Sequence, residues 1–185
     1  MIAGLRAGAP EAFDAAYAAH KDIVYRFLLG LCRQRALAED LFQETWLRLA
    51  RHAPGLRPDT NLRAWLCTVA RNLYRSHARW ALLDVRALAA LERWWYLEAA
   101  PAPEDRLTAA AALSRLATAF ADLPPAFREV LLLAVGEGLP QEQVARVLGI
   151  SHDAVRQRLA RARGALASRV SLEDGRWNGT ISSTI

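Results

Sequence analysis

The sequence is poor in several residue types and patterns, and each shortage excludes a class of protein. It has only two cysteines, Cys32 and Cys67, and no C-x-x-C pair, so buried free thiols are expected instead of a disulfide framework or a zinc knuckle. No apolar run reaches the ~18–20 residues of a membrane span, and the N-terminal stretch has no signal-peptide core, so we expect a cytoplasmic protein without membrane insertion. No phosphate-cradling glycine loop, metal-ligand cluster or nucleophile–base pair is evident, so we expect no cofactor, no metal and no enzymatic activity.

Strand patterns are also missing, and helical patterns take their place. No segment alternates apolar and polar residues for long enough to require a strand. The composition, 53% hydrophobic and 23% charged, is that of a globular protein, and the long apolar-periodic segments contain few glycines or prolines, which favours helix. The net charge is +5, and nearly all basic side chains are arginines, because Lys21 is the only lysine. Arginine suits phosphate and base contacts, but a GC-rich genome produces the same bias, so both interpretations stay open.

The helical segments fall into two groups. Apolar spacing predicts helices at 10–31, 36–51 and 62–80, then a Pro-containing acidic stretch at 98–106, then further helices from Leu107 onward. We therefore predict an all-α fold of two small helical domains joined by a flexible linker. The predicted bounds are 8–82 for the first domain, 83–106 for the linker, 107–169 for the second domain and 170–185 for a disordered tail.

The second domain contains the most specific motif, QEQVARVLGISHDAVRQRLARAR at 141–163. Gly149 falls where the chain must turn, Ser151 is a good N-cap for the next helix, and Val155 and Leu159 give that helix an inner face. These constraints together predict a helix-turn-helix. The second helix would enter the major groove, where Arg156 and its neighbours can pair with base edges. The competing interpretation is an ordinary helical hairpin with a solvated basic face.

The first domain has two helices of opposite character. The 62–80 helix carries arginines interleaved with amides and aromatic residues and has no acid, which suits single-stranded nucleic acid. The 36–51 helix has an acidic face, which would repel phosphate. Such a face is usually only solvated, but beside a DNA-facing helix it can also serve for protein docking.

Two blocks of the chain resemble the sigma-70 family. AEDLFQETWLRLARH at 38–52, followed by NLRAWLCTVARNLYRSHAR at 61–79, is similar to region 2, and residues 123–166 are similar to region 4. The spacing, with no region 1 before them and no region 3 between them, resembles the extracytoplasmic-function (ECF) sigma factors. The resemblance implies a factor that binds core RNA polymerase, directs it to specific promoters and helps to open the −10 region.

The resemblance also implies roles for individual residues. Those expected to bind the polymerase are Glu39, Asp40, Gln43, Glu44, Thr45, Leu47 and Arg48. Those expected to bind the −10 element are Asp59, Thr60, Asn61, Arg63, Arg71, Asn72, Arg75 and Arg79, with a flipped-base pocket at 58–61. Those expected to bind the −35 element are Ser151, His152, Arg156, Gln157, Arg158, Arg161 and Arg163.

The implied partners are the β′ clamp helices and β flap of core RNA polymerase, promoter DNA and, at the level of the family, an anti-sigma factor. Two other functions compete with this interpretation. One is a free-standing helix-turn-helix regulator that binds duplex DNA without polymerase, and the other is an adaptor or anti-regulator with a degenerate DNA motif. The acidic helix at 36–51 and the basic, aromatic helix at 62–80 argue against the free-standing regulator.

Overall fold

The structure, a computed structural model, describes residues 1–32, 34–88 and 116–180, and at 80–88 and 170–180 it describes the backbone only. Within these ranges every regular element is a helix, which confirms the predicted fold class. Most of the predicted linker, residues 89–106, lies outside the described residues, as do 107–115 and 181–185.

The N-terminal module is a bundle of three long helices with a short one at its end. The helices are α1 (Ile2–Arg6), α2 (Pro10–Cys32), α3 (Arg35–His52) and α4 (Leu62–Leu88). Pro10 begins α2, where its missing N–H would have no helical partner in any case. The three long helices contact one another pairwise around Phe27, Leu49 and Leu66, which are almost fully buried. Burial of each such side chain stabilises the fold by about 1.5–3 kcal/mol.

The C-terminal module is built from shorter helices. After the helical residues 116–121 (α5) come α6 (Pro125–Leu131), a wide helical turn (Leu132–Gly136), α7 (Gln141–Leu148) and α8 (His152–Thr180). Both α6 and α7 pack on α8, and the core includes Val130, Leu133, Val144 and Val155. The sequence predicts further helices from Leu107 onward, and in the described part of this region the structure has them.

The two modules contact each other directly. The buried apolar residues of both form one continuous hydrophobic cluster. Helix α2 contacts α6 and the turn Leu132–Gly136, and α4 contacts α7. The sequence predicted two separate modules and contained no sign of this interface.

Three boundaries differ from the prediction. Helix α4 continues to Leu88, beyond the predicted domain end at residue 82. Helix α8 continues to Thr180, into the stretch for which the sequence predicts a disordered tail, since extending a nucleated helix costs far less than starting one. At the other end, α1 lies before the predicted start at residue 8, and its Leu5 is buried in the core cluster that also holds residues of α2.

The two cysteines behave as the sequence predicted, as buried free thiols. Burial raises the pKa of Cys32 to about 11. Burial, together with the nearby Glu137 carboxylate, raises the pKa of Cys67 to about 12. Neither thiol is therefore activated for chemistry at neutral pH.

Candidate functional site

The turn between α7 and α8 has the geometry of a helix-turn-helix. Gly149 ends α7 with φ +65°, a left-handed conformation that side chains other than glycine rarely adopt. The N–H of Ile150 donates to the carbonyl of Ala145 at 3.1 Å, which closes the end of α7. Ser151 Oγ then accepts from the N–H of Ala154 at 3.2 Å, so the predicted N-cap of α8 is confirmed.

The inner side of α8 is fixed by packing, and this decides which side chains face outward. Val155 and Leu159 are buried at the contact with the rest of the module. The candidate −35 residues that are exposed on the outer side are Ser151, His152, Arg156, Gln157, Arg161 and Arg163. Arg156 is held by Asp153 at 3.0 Å, one turn earlier on the same helix, through side chains that are both about 70% exposed. Exposed pairs of this kind contribute only ~0–1 kcal/mol, so Arg156 can exchange Asp153 for a DNA group at small cost.

Arg158 is less exposed than the other candidate −35 residues. It is half-buried and lines an open cleft of about 670 Å³ between the modules, together with Arg71, Arg75 and Arg79 of α4. Glu129 is the acid in the cleft wall. One cleft therefore collects arginines that the sequence assigned to two different DNA elements.

The candidate polymerase face lies on α3. Residues Asp40, Gln43, Leu47 and Arg48 are exposed there, and the Leu47 side chain is half accessible although it is apolar. The acids on this face are partly neutralised within the helix, since Arg48 Nε donates to Glu44 at 3.0 Å. The face is consequently less acidic than the sequence indicated, and its exposed pairs are weak enough to rearrange on binding.

Glu39 shows the same local pairing. Its carboxylate accepts from Arg35 Nε at 2.7 Å and from the Tyr25 hydroxyl at 3.4 Å. The hydrogen bond from Arg35 lowers the pKa of Glu39.

Thr45 does not lie on the candidate polymerase face. Its side chain is fully buried, and its hydroxyl donates to the carbonyl of Leu41 at 2.7 Å. The expectation that Thr45 contacts the polymerase does not fit this placement. Thr45 lies on the buried side of α3, which also carries Trp46 and Leu49.

An aromatic groove beside this face was missed in the sequence. It is open, about 450 Å³ in volume, and lies between α2 and α3, with Tyr17, Lys21 and Tyr25 on one side and Phe42 on the other. Tyr17 packs edge-on against Trp46 with ring centroids 4.8 Å apart, yet it remains more than a third exposed. Tyr17 recurs at the apolar spacing of its helix, so the sequence does not show that it lies at the surface. In the structure Lys21 Nζ lies 5.9 Å from the centroid of its ring.

The candidate −10 residues divide into accessible and enclosed groups. Asn61 Oδ1 accepts from the N–H of Ala64 at 3.0 Å and so caps α4, while Asp59 pairs with Arg57 at 3.3 Å in the preceding loop. The accessible members in and after this loop are Asp59, Asn61, Asn72, Arg75 and Arg79, and Thr60 is half-buried.

Arg63 and Arg71 form the enclosed group. Arg63 is half-buried, and Arg71 is only 7% exposed, because both are covered by acids of the C-terminal module. In this conformation Arg71 cannot reach a DNA phosphate. The sequence placed both arginines on an open DNA-facing surface, and their partners lie more than fifty residues away in the chain, beyond the reach of local patterns.

The described ranges hold neither a metal site nor a membrane span. They contain no group of three or more His, Cys, Asp or Glu residues arranged to hold a metal ion. Among the described helices, none combines the length and the apolarity that crossing a membrane requires.

Comparison with family models identifies both modules. Sigma-70 region 2 matches residues 16–81, and Sigma-70, region 4 matches residues 113–166, which together cover more than half of the chain. The matches run in the order in which the two modules occur.

Individual proteins are similar over nearly the whole chain. The RNA polymerase sigma factor CarQ of Myxococcus xanthus is 33% identical over 84% of this chain and 87% of its own length. The ECF RNA polymerase sigma factor SigL of Mycobacterium tuberculosis is 32% identical over 94% of this chain and 96% of its own. Among solved structures, CnrH of Cupriavidus metallidurans, in complex with the cytosolic domain of CnrY, aligns with a TM-score of 0.68 and 25% identity over 92% of this chain and 95% of that one.

Proposed function

The chain belongs to the ECF sigma factors of the sigma-70 family, and from this membership we propose how its two modules divide the work at a promoter. It binds core RNA polymerase and directs initiation at specific promoters. The alternative of a free-standing helix-turn-helix regulator is not supported, because region 2 is present as well as region 4. The division of roles among residues is the proposed part.

The exposed face of α3 docks on the polymerase. Its supporting observation is that Leu47 stays half exposed in a helix whose other large apolar residues are buried or partly buried. Exposed apolar side chains with charged neighbours are common in protein interfaces, where they are desolvated at the centre of the contact. Asp40 and Gln43 supply the polar rim. The aromatic groove containing Tyr17 extends this surface across α2.

The outer side of α8 reads the −35 element as duplex DNA. The observation that carries this assignment is the confirmed turn at Gly149 and Ser151, which holds Arg156 and Gln157 outward at the start of a rigid helix. Arg and Gln can each make two hydrogen bonds to a base edge in the major groove. Arg161 and Arg163, more than a turn further along, are placed to hold phosphates.

The loop before α4 and the exposed side of α4 bind the opened −10 strand. Opening costs a few kcal/mol for each unstacked step, and single-strand binding by Arg75, Arg79 and Asn72 offsets that cost. Residues 58–61 form the pocket for a flipped base. Arg63 and Arg71 join this surface only after the C-terminal module has moved away.

Sigma factors are initiation factors and not enzymes, and we assign this chain no catalysis of its own. Since its partners are polymerase and the chromosome, it acts in the bacterial cytoplasm, at the nucleoid when it is bound in holoenzyme. CnrH is held in its solved structure by the cytosolic domain of CnrY. By the same kind of contact, an anti-sigma factor is expected to hold this chain inactive.

Reconstituted transcription tests the proposal. Start sites are first mapped after overexpression, and run-off transcription is then measured on one such promoter with core polymerase alone and with core polymerase plus the protein. A defined transcript should require the protein. Equal run-off in both reactions would refute the proposed function.

A substitution in α8 tests the −35 assignment. Arg156→Ala should weaken discrimination at one −35 position by roughly 1–3 kcal/mol, the value for a bidentate base contact. Arg146→Ala is the matched control, because Arg146 is equally exposed but lies on α7 and pairs with Glu142. Unchanged promoter preference in Arg156→Ala would remove that residue from the −35 contact.

A further inference from the structure

The cleft between the modules gathers positive charge from two helices. Arg71, Arg75 and Arg79 line it at four-residue intervals, which places them on one face of α4. Arg158 of α8 lines the same cleft from the C-terminal module. Like charges gathered in one place repel one another, and this repulsion is relieved when an anion lies among them. The cleft is therefore a candidate anion site.

Within the described ranges, an acid neutralises just one of these arginines. Arg71 Nε donates to Glu129 Oε2 at 3.0 Å, so the acid in the cleft wall is already paired. The other three arginines have no carboxylate partner among the described residues. Arg75 and Arg79 are exposed and Arg158 is half-buried, so each has N–H donors left for a ligand.

The cleft has the dimensions of a small-molecule site. Its volume of about 670 Å³ lies within the ~300–1,000 Å³ that is typical of ligand pockets. A compact space of this volume measures roughly 9 Å across, whereas the major groove of duplex DNA alone is about 12 Å wide, so a duplex cannot enter it. Arg156, which is proposed to read duplex DNA, does not line the cleft. The fitting occupant is a small ligand with several negative charges.

The number of unpaired arginines indicates which anion this is. Guanidinium groups bind phosphate oxygens through two parallel N–H donors, and these are among the strongest hydrogen bonds in proteins. A single phosphate monoester carries only about −1.5 to −2 charges at neutral pH, so one such group cannot match three arginines. A chain of three linked phosphates can offer a separate phosphate to each of them.

The cleft also has an apolar part. Half-buried Tyr74 of α4, Pro125 of α6 and Ile150 of the turn before α8 contribute to its lining. Aromatic side chains beside a basic surface hold nucleobases by stacking. The lining therefore suits a nucleoside attached to the phosphates as well as a bare phosphate chain.

We propose that this cleft is a binding site for an oligophosphate, a ligand with three or more linked phosphate groups that is either inorganic or attached to a nucleoside. Arg75 and Arg79 hold the phosphates from the N-terminal module, and Arg158 holds them from the C-terminal module. Because its donors come from both modules, the bound ligand links them and stabilises the folded chain. The site does not depend on the proposed function, since neither DNA nor polymerase takes part in it.

Calorimetric titration of the full chain without magnesium tests the site, with inorganic tripolyphosphate, ATP and orthophosphate as the probes. Tripolyphosphate should bind at one saturable site, and orthophosphate should bind at least about tenfold more weakly because it makes fewer charge-assisted hydrogen bonds. ATP that binds more tightly than tripolyphosphate would assign the site to a nucleoside oligophosphate. ATP that binds equally or more weakly would assign it to the inorganic chain.

Paired variants locate the binding. Arg75→Gln/Arg158→Gln removes one guanidinium from each module, and Arg6→Gln/Arg146→Gln makes the same change of charge at exposed arginines outside the cleft. The cleft variant should bind tripolyphosphate at least about tenfold more weakly, while the control matches the wild type. Each single cleft variant should also weaken binding. In thermal unfolding, tripolyphosphate should raise the melting temperature of the wild type and the control but not that of the cleft variant.

Three results would overturn the proposal. The first is the lack of saturable binding of both tripolyphosphate and ATP. The second is an equal loss of affinity in Arg6→Gln/Arg146→Gln, which would mean a diffuse attraction to a basic protein. The third is wild-type affinity in Arg158→Gln, because the ligand would then not be held by both modules. Promoter-specific run-off is measured separately, so none of these results bears on the proposed function.

Discussion

Replacing Gly149 with alanine should destabilise the C-terminal module by about 1–2 kcal/mol, the cost of placing an L side chain in the left-handed region. The expected loss of stability comes from the backbone alone, because Gly149 has φ +65° and an added Cβ would meet nothing within 4 Å. No clash or cavity adds to the backbone cost. For a chain of this size the change corresponds to a fall in melting temperature of roughly 2–8 °C.

Gly164→Ala is the matched control. Gly164 lies inside α8, and there too an added Cβ meets open space, but no left-handed backbone is involved. Alanine in a helix interior is about 0.5–1 kcal/mol more favourable than glycine, so this variant should be more stable than the wild type. The same chemical change is thus expected to have opposite signs at two positions of one module.

Chemical denaturation of the full chain, followed by circular dichroism, measures both changes. Gly149→Asn should cost less than Gly149→Ala, because asparagine tolerates the left-handed region better. If both alanine variants shift stability in the same direction, the turn does not have the described conformation. The helix-turn-helix geometry assigned to it would then be incorrect.

Three further outcomes are expected. Ser151→Ala should lower stability by ~1 kcal/mol in the same denaturation assay, since the cap on the Ala154 N–H is lost; an unchanged midpoint would contradict that cap. Iodoacetamide at pH 8 should label neither cysteine in the folded chain, because both thiols are buried and have raised pKa values. The pKa of Cys32 is about 11 against an ordinary 9.0, which lowers its thiolate fraction roughly a hundredfold. The pKa of Cys67 is about 12, so its thiolate fraction is smaller still. Labelling should become rapid in denaturant, and fast labelling before unfolding would show that the thiols are not enclosed. Leu47→Ala should change the free energy of unfolding by no more than about 0.5 kcal/mol, as is usual for an exposed position. It should weaken binding to core polymerase by more than ~1 kcal/mol in a fluorescence titration. Unchanged affinity would remove Leu47 from the docking face.

The helix-turn-helix could be predicted from the sequence because its determinants are local. Gly149 and Ser151 act on backbone groups within a few residues of themselves, and their types are dictated by φ and by an unsatisfied N–H. The three long helices of the N-terminal module were predicted for a similar reason, since apolar spacing follows directly from the helical period.

The direction of individual side chains was harder to predict. Thr45 belongs to a motif associated with polymerase binding, but a hydroxyl that bonds to the carbonyl of Leu41 within its own helix can be buried at little cost. Tyr17 fits a buried stripe by spacing, yet it lies at the edge of that stripe, where its ring forms the wall of a groove. A motif or a helical spacing predicts where such a residue lies along the helix, but it does not predict how much of the side chain is exposed.

The interface between the modules could not be predicted from the sequence. Arg71 and Glu129 are 58 residues apart, and each alone resembles an ordinary solvated charge. Only the tertiary arrangement shows that they satisfy each other. Nor does the sequence indicate the role of Gly30. Its missing side chain allows Leu132 to approach α2, whereas glycine is more often read as a turn residue.

The cap at the start of α4 has a consequence for which bases the loop can accept. While Asn61 Oδ1 accepts from the N–H of Ala64, the NH₂ group of the same side chain keeps both of its N–H donors. A flipped base in the proposed pocket would pair with this NH₂ group by presenting an acceptor, such as the O2 or O4 of thymine. A base that presents an exocyclic amine at the same point would leave two donors facing each other. The residue that starts the helix would in this way also give the pocket its polarity.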